Sequence, residues 1–147
     1  LFLAAIESFN AEGSVAVFER QVSGDYVADM RTLARVMHES MLREYDGLRL
    51  LMCESDLIDE VREGAAAGSA SNHARLAGYF RQQIAAGVVR ADLDPEVLAH
   101  ASDALFSTAA FYRRGFGSEI PATVDDETLL DQLADLFVQG TRQTAEK

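Results

Sequence analysis

A chain of 147 residues, 48% hydrophobic and 25% charged, has the size and balance of one globular domain with a proper core. Its formal net charge of −11 repels a phosphate backbone, so these residues do not suit a nucleic-acid reader. No apolar run approaches the ~20 residues that span a bilayer, and the opening "LFLAAIESF" lacks the basic flank and cleavage sequel of a signal peptide.

Apolar residues recur near every 3.6 positions and alternating stretches are absent, which predicts an all-α fold of about six helices in one domain over 1–147. The first helix covers about 1–10, with Leu3, Ile6 and Phe9 in register. Leu1 already falls inside this apolar pattern without a cap, so the sequence reads as the remainder of a longer protein. "NAEGS" interrupts the pattern, and a second piece sets Val15, Phe18 and Val22 on one side before ending near "VSGD". Asp25 then caps a helix that runs to about residue 45. At ~100° per residue, Tyr26, Met30, Leu33, Ala34, Met37, Met41 and Tyr45 share one arc of it. Arg31, Arg35, Glu39 and Arg43 fall outside that arc, and His38 sits at its edge. Asp46-Gly47 opens a separate short helix, "DGLRLLMCESD".

A long pattern begins at about residue 56, with Leu57, Ile58 and Val61 as its inner face. It crosses "GAAAGSASNH", where Gly64, Gly68 and the Ser/Asn cluster weaken helix propensity. One kinked helix and two separate helices both fit. Beyond the weak zone Leu76, Phe80 and Ile84 face inward, with His73 and Gln83 on the same arc. Gly87 suits the left-handed residue that ends a helix, and Asp94-Pro95 restarts one after the connector "VVRADL". That helix continues to about residue 114, where "GFGSEIP" breaks it. The last helix starts near residue 125 and passes through "ETLLDQLADLFVQGTRQ".

The last two helices are unusually apolar. Leu129, Leu130, Leu133, Ala134, Leu136, Phe137 and Val138 span roughly 200° of the final helix, where a single core needs a stripe of about 100°. On the preceding helix the polar strip is narrow, limited to His100, Asp103, Ser107 and Arg114. The rest mixes large residues with small ones that let backbones approach closely. Two such helices predict a pair that meets its own copy across a two-fold axis as a four-helix bundle. The interface expected on the first of them is Val97, Ala101, Ala104, Leu105, Thr108 and Tyr112. On the last helix it is Leu129, Leu133, Leu136 and Phe137. Burial of the same helices inside a monomer is the competing reading.

The stretches "LAGYFRQQIAAGVVRADLDPEVLAH", "ALFSTAAFYRRGFG" and "DETLLDQLADLFVQGTRQ" resemble the C-terminal ligand-binding and dimerisation domain of TetR-family transcriptional regulators. "LFLAAIE" looks like the helix that leaves their helix-turn-helix module, and "LRLLMCES" matches an element of their middle region. The resemblance covers essentially the whole chain, and its most specific part is the helix stop, connector and Asp-Pro restart. It implies a bacterial, cytoplasmic homodimer, usually a repressor. Its last helices would pair with a second subunit, and its preceding helices would enclose an effector pocket. The DNA-reading module is absent from this sequence, so operator DNA would be bound only through a missing N-terminal domain.

Met30, Met37 and Met41 share one helix face, and Met52 follows. Flexible thioethers suit a pocket for apolar or amphipathic ligands. Phe9, Phe18, Leu33, Tyr79, Phe80 and Phe106 complete the expected apolar wall, while His73 and Gln83 would orient a polar end. Plain core filling is the alternative for each of these residues. No metal or cofactor is expected, because His38, Cys53, His73 and His100 lack finger-like or HExxH spacing. The lone Cys53 leaves no intrachain disulfide and points to a reducing compartment. Nucleophile-elbow and phosphate-loop signatures are also missing, so no enzyme is expected. Two other functions stay open. One is a constitutive helical dimerisation module without a ligand. The other is a helical enzyme, which titratable groups converging in a water-accessible cavity would favour.

Overall fold

A computed structural model of the chain describes residues 13–53, 59–116 and 124–144. Helices dominate it: α1 Ser14–Glu19, α2 Tyr26–Cys53, α3 Asp59–Ala85, α4 Pro95–Phe116 and α5 Asp126–Thr141. Among the described residues the only β-type pairing is an isolated antiparallel bridge, Val89 to Arg142, so the all-α expectation holds. The helix expected over 1–10, with Phe9, lies outside the described residues. No helix among them is long and apolar enough to cross a membrane.

Local chemistry sets the helix starts. The Asp25 carboxylate accepts from the amides of Val27 and Ala28 at 2.9 and 3.3 Å. Asp94 does the same for Glu96 and Val97 at 2.8 and 3.3 Å, ahead of Pro95. Asp125 accepts from the Thr128 amide at 2.8 Å and from its hydroxyl at 3.1 Å. Each satisfies amides that a helix N-terminus leaves unpaired. Gly87, at φ 71°, ends α3 in the left-handed conformation that L side chains rarely adopt.

One helix expectation changes and one open alternative is decided. α2 runs 28 residues without a break at Asp46-Gly47, although the Gly disfavours a helix interior by about 1 kcal/mol. Contacts from α4 hold this stretch: the rings of Tyr45 and Phe111 meet at 5.6 Å. Gly115 approaches so closely that an added Cβ would stand 2.6 Å from the Tyr45 hydroxyl. The weak zone of α3 is likewise one continuous helix, Asp59–Ala85, whose Ala residues favour the helix while Gly68 and the Ser residues oppose it.

α2 is the axis of the molecule. α1, α4 and α5 pack against it, α3 lies on α4 and α1, and α4 and α5 touch each other only sparingly. Phe18, Met30, Leu33, Leu76, Phe80 and Phe106 are fully buried in one apolar cluster. Val22, expected on the inner side with Val15 and Phe18, is exposed beyond the end of α1. The connector after Gly87 adds a tie that no helical pattern shows. Arg90 N–H donates to Thr141 O at 3.0 Å, and Gln143 N–H donates to Val88 O at 2.8 Å. The same end is held from α2, where the Tyr26 hydroxyl lies 2.7 Å from Thr141 Oγ1.

α5 resolves much of its own excess apolar width. Leu130, Ala134, Phe137 and Val138 are buried, and Leu129 and Leu133 are half-buried. Arg31 and Arg35 of α2 reach Asp135 and Asp131 of α5 at 3.0 Å each. These partly exposed pairs fix orientation more than they stabilise, since such bridges contribute about 0–1 kcal/mol.

Candidate functional site

α1, α2, α3 and α4 enclose a cavity of about 230 Å³. Its apolar wall is Val15, Met37, Met41, Leu48 and Leu76. Small polar residues interrupt that wall: Ser14, Ser40, Ser69, Asn72 and Ser107. Three ionisable side chains complete it, Glu44 from α2, His73 from α3 and Asp103 from α4.

The polar side is a set of linked hydrogen bonds. Ser40 Oγ donates to Glu44 Oε1 at 2.6 Å, one helical turn apart. Ser107 Oγ donates to Asp103 Oδ1 at 2.9 Å, again one turn apart. His73 Nε2 lies 3.1 Å from Asp103 Oδ2. A carboxylate only accepts, so Nε2 carries the proton; in the neutral ring Nδ1 then accepts from Ser69 Oγ, 3.3 Å away. The exposed His100 ring packs against His73 with centroids 4.2 Å apart, which fixes the plane of the imidazole. At the apolar wall Ser14 Oγ donates to Met37 Sδ at 3.6 Å.

A Ser–His–Asp chain in an open cavity invites a comparison with acyl transfer. Such chemistry also needs preorganised donors aimed at the developing oxyanion. Ser69 sits inside α3, where the surrounding amides belong to the helix ladder. The chain brings a histidine and two carboxylates together in an open cavity, the convergence named above as favouring a helical enzyme, while the amides beside Ser69 stay in the helix ladder. Among the described residues no group of three or more His, Cys, Asp or Glu has a metal-binding arrangement.

The residues expected to face a ligand divide sharply. Met37, Met41 and His73 line the cavity. Phe18, Met30, Leu33, Tyr79, Phe80 and Phe106 are closed into the core instead. Tyr79 and Phe18 meet edge-on at 5.2 Å, and the Tyr79 hydroxyl donates to the buried Asp29 at 3.0 Å. Gln83 is half-buried on α3 outside the cavity lining. The Met52 side chain and Phe9 lie outside the described residues.

Sequence reasoning missed the acidic side. Asp103 and Ser107 belong to the narrow polar strip of α4, outside the residues expected in the pocket, yet both line the cavity and Ser107 is buried. A usable signal existed in the three polar pairs at i, i+4 spacing: Ser40 with Glu44, Ser69 with His73, and Asp103 with Ser107.

The outward face of α4 is apolar. Val97, Ala101, Ala104, Thr108 and Tyr112 recur at helical spacing and are all exposed, Val97 at 63% and Tyr112 at 50%. On α5 Leu136 is also 63% exposed. Leu105, Leu129 and Leu133 are half-buried. Phe137, expected at the same interface, is in the core instead, its ring 5.9 Å from Phe80 and 5.8 Å from Phe106.

Comparison with protein-family models, curated proteins and solved structures returns no match for this chain.

Proposed function

We propose that this chain is the effector-binding and dimerisation part of a transcriptional regulator of the TetR type that its sequence resembles. A small, largely apolar or amphipathic ligand occupies the cavity between α1 and α4. Two copies associate through the outward apolar face of α4 and the exposed Leu136 of α5. Operator DNA is the business of a separate helix-turn-helix domain, for which this acidic chain is unsuited. The observation that carries the reading is the cavity itself. Flexible Met37 and Met41 line one wall of it, and α1 contributes Ser14 and Val15. A ligand that prefers one arrangement of α1 against α2 shifts the population of that arrangement, which is the physical content of effector control.

A thermal-shift screen with apolar and amphipathic compounds tests the ligand half. A true site gives saturable, concentration-dependent stabilisation, about 2.7 kcal/mol at a hundredfold excess over Kd. Sedimentation equilibrium tests the other half: the chain is expected to dimerise, and Val97→Glu on the exposed face to shift it toward monomer. A monomer at all concentrations removes the dimer reading. Dimerisation with no responding compound favours a constitutive helical dimerisation module, the competing function.

A further inference from the structure

Among the described residues that line the cavity the carboxylates outnumber the basic groups, of which His73 is already turned to Asp103. Glu44 and Asp103 both line it, and no Lys or Arg is among its described lining residues. From these placements we infer that the cavity selects a small amphipathic cation, an amine carrying one ring or short hydrocarbon group, over neutral and anionic analogues. This rests on the ligand-binding reading above and names the chemistry of its ligand.

Size comes first. About 230 Å³ lies below the 300–1,000 Å³ typical of drug-sized sites, so the occupant is small. Its hydrocarbon end meets Val15, Met37, Met41 and Leu76, where burial of apolar surface provides the affinity. Its head meets the acidic side. A carboxylate offers about four acceptor positions. The bonds described use two on Asp103, from His73 and Ser107, and one on Glu44, from Ser40. Acceptor capacity therefore remains for the N–H groups of an ammonium. An anionic head would face two carboxylates in a partly water-excluded space, where like charges repel more strongly than in bulk water. The net charge of −11 adds a field that concentrates cations near the surface.

Three probes of one shape isolate the charge: 2-phenylethylamine, 2-phenylethanol and phenylacetate, titrated calorimetrically into the full chain at pH 7. The amine is expected to bind at least tenfold more tightly than the alcohol, and phenylacetate not measurably. Glu44→Gln and Asp103→Asn are each expected to weaken the amine several-fold and the alcohol by a clearly smaller factor. Equal binding of alcohol and amine, or preferred binding of phenylacetate, overturns the charge selection while leaving a ligand site standing. Unchanged amine affinity in both variants overturns it as well. Silence from these probes together with the broader screen removes the ligand site and this inference with it. The wild-type probe series decides the matter even if a variant folds poorly.

Discussion

The two halves of α2 present the same helical arc, yet one half is sealed and the other borders a cavity. In the first half Tyr26, Met30, Leu33 and Ala34 are buried in the cluster that holds Phe18, Phe80 and Phe137. In the second half Met37, Met41, Glu44 and Leu48 share a space with Ser14, Ser69, Asn72 and Ser107. The helix carries large side chains throughout. What changes is the volume on the facing helices, where aromatic rings give way to Ser and Asn. A core and a site thus differ here by the neighbours' side chains rather than by the periodicity of the shared helix.

The largest expected effect exploits that contrast. Phe80→Ala opens a void in the sealed half, where close packing leaves little room to relax, and costs about 3–5 kcal/mol in urea unfolding. Met41→Ala, in the open half, removes a half-buried side chain beside existing space and costs about 1 kcal/mol. Equal losses from the two variants would mean that the cavity is no looser than the core, and the comparison would fail.

How far each half was legible follows from the range of its causes. Asp25, Asp94, Asp125 and Gly87 were readable because a cap acts on backbone within a few residues of itself. The inward arc of α2 was readable because burial follows the helical period. The continuation of α2 past Gly47 was not, since it depends on Phe111 and Gly115, over sixty residues away. The cavity was harder still. Whether Asp103 and Ser107 point to solvent or inward depends on the rotation of α4 about its axis, and α4 is apolar on its outward face as well. A pattern with two apolar faces does not say which face is covered. Phe137 shows the same ambiguity from the other side, sitting in the core where surplus apolar width suggested an interface.

A smaller effect comes from high pH and again separates the halves. Burial pushes the Tyr26 hydroxyl up to about 12. Burial also raises the Tyr79 hydroxyl, and the neighbouring Asp29 carboxylate adds to the shift. Tyr26 belongs to the sealed half, and Tyr79 of α3 packs against it through Asp29. An unfolded tyrosine ionises near pH 10, so above that pH the unfolded chain loses protons that the folded chain retains. Stability from Tyr26 is therefore complete below about pH 10 and is lost as pH rises toward 12, while that from Tyr79 is lost over a range that extends higher. Tyr26→Phe removes one such group and flattens the alkaline decline in a series of denaturation midpoints. It also loses the bond to Thr141, at about 1 kcal/mol near neutral pH. An unaltered alkaline slope in this variant would show that Tyr26 is not sealed.

The smallest expected effect, that of Ser107→Leu, is the sharpest test, because the same substitution at Ser102 on the same helix supplies its contrast. Ser102 is fully buried, its hydroxyl donating to Ala99 O at 3.0 Å. Ser107 is also buried but opens onto the cavity. Ser102→Leu forces extra volume into a filled space and is expected to cost at least the 1–3 kcal/mol of ordinary overpacking. Ser107→Leu has room to place the same atoms. It loses the hydrogen bond to Asp103, about 1 kcal/mol, and regains a similar amount by covering apolar surface on Met37, Met41 and Leu76. Its net change in stability is expected within about 1 kcal/mol of zero. The cavity would nonetheless be filled, and the thermal response to 2-phenylethylamine would disappear. A Ser107→Leu protein as unstable as Ser102→Leu would show that the space beside Met41 does not admit a guest, side chain or ligand.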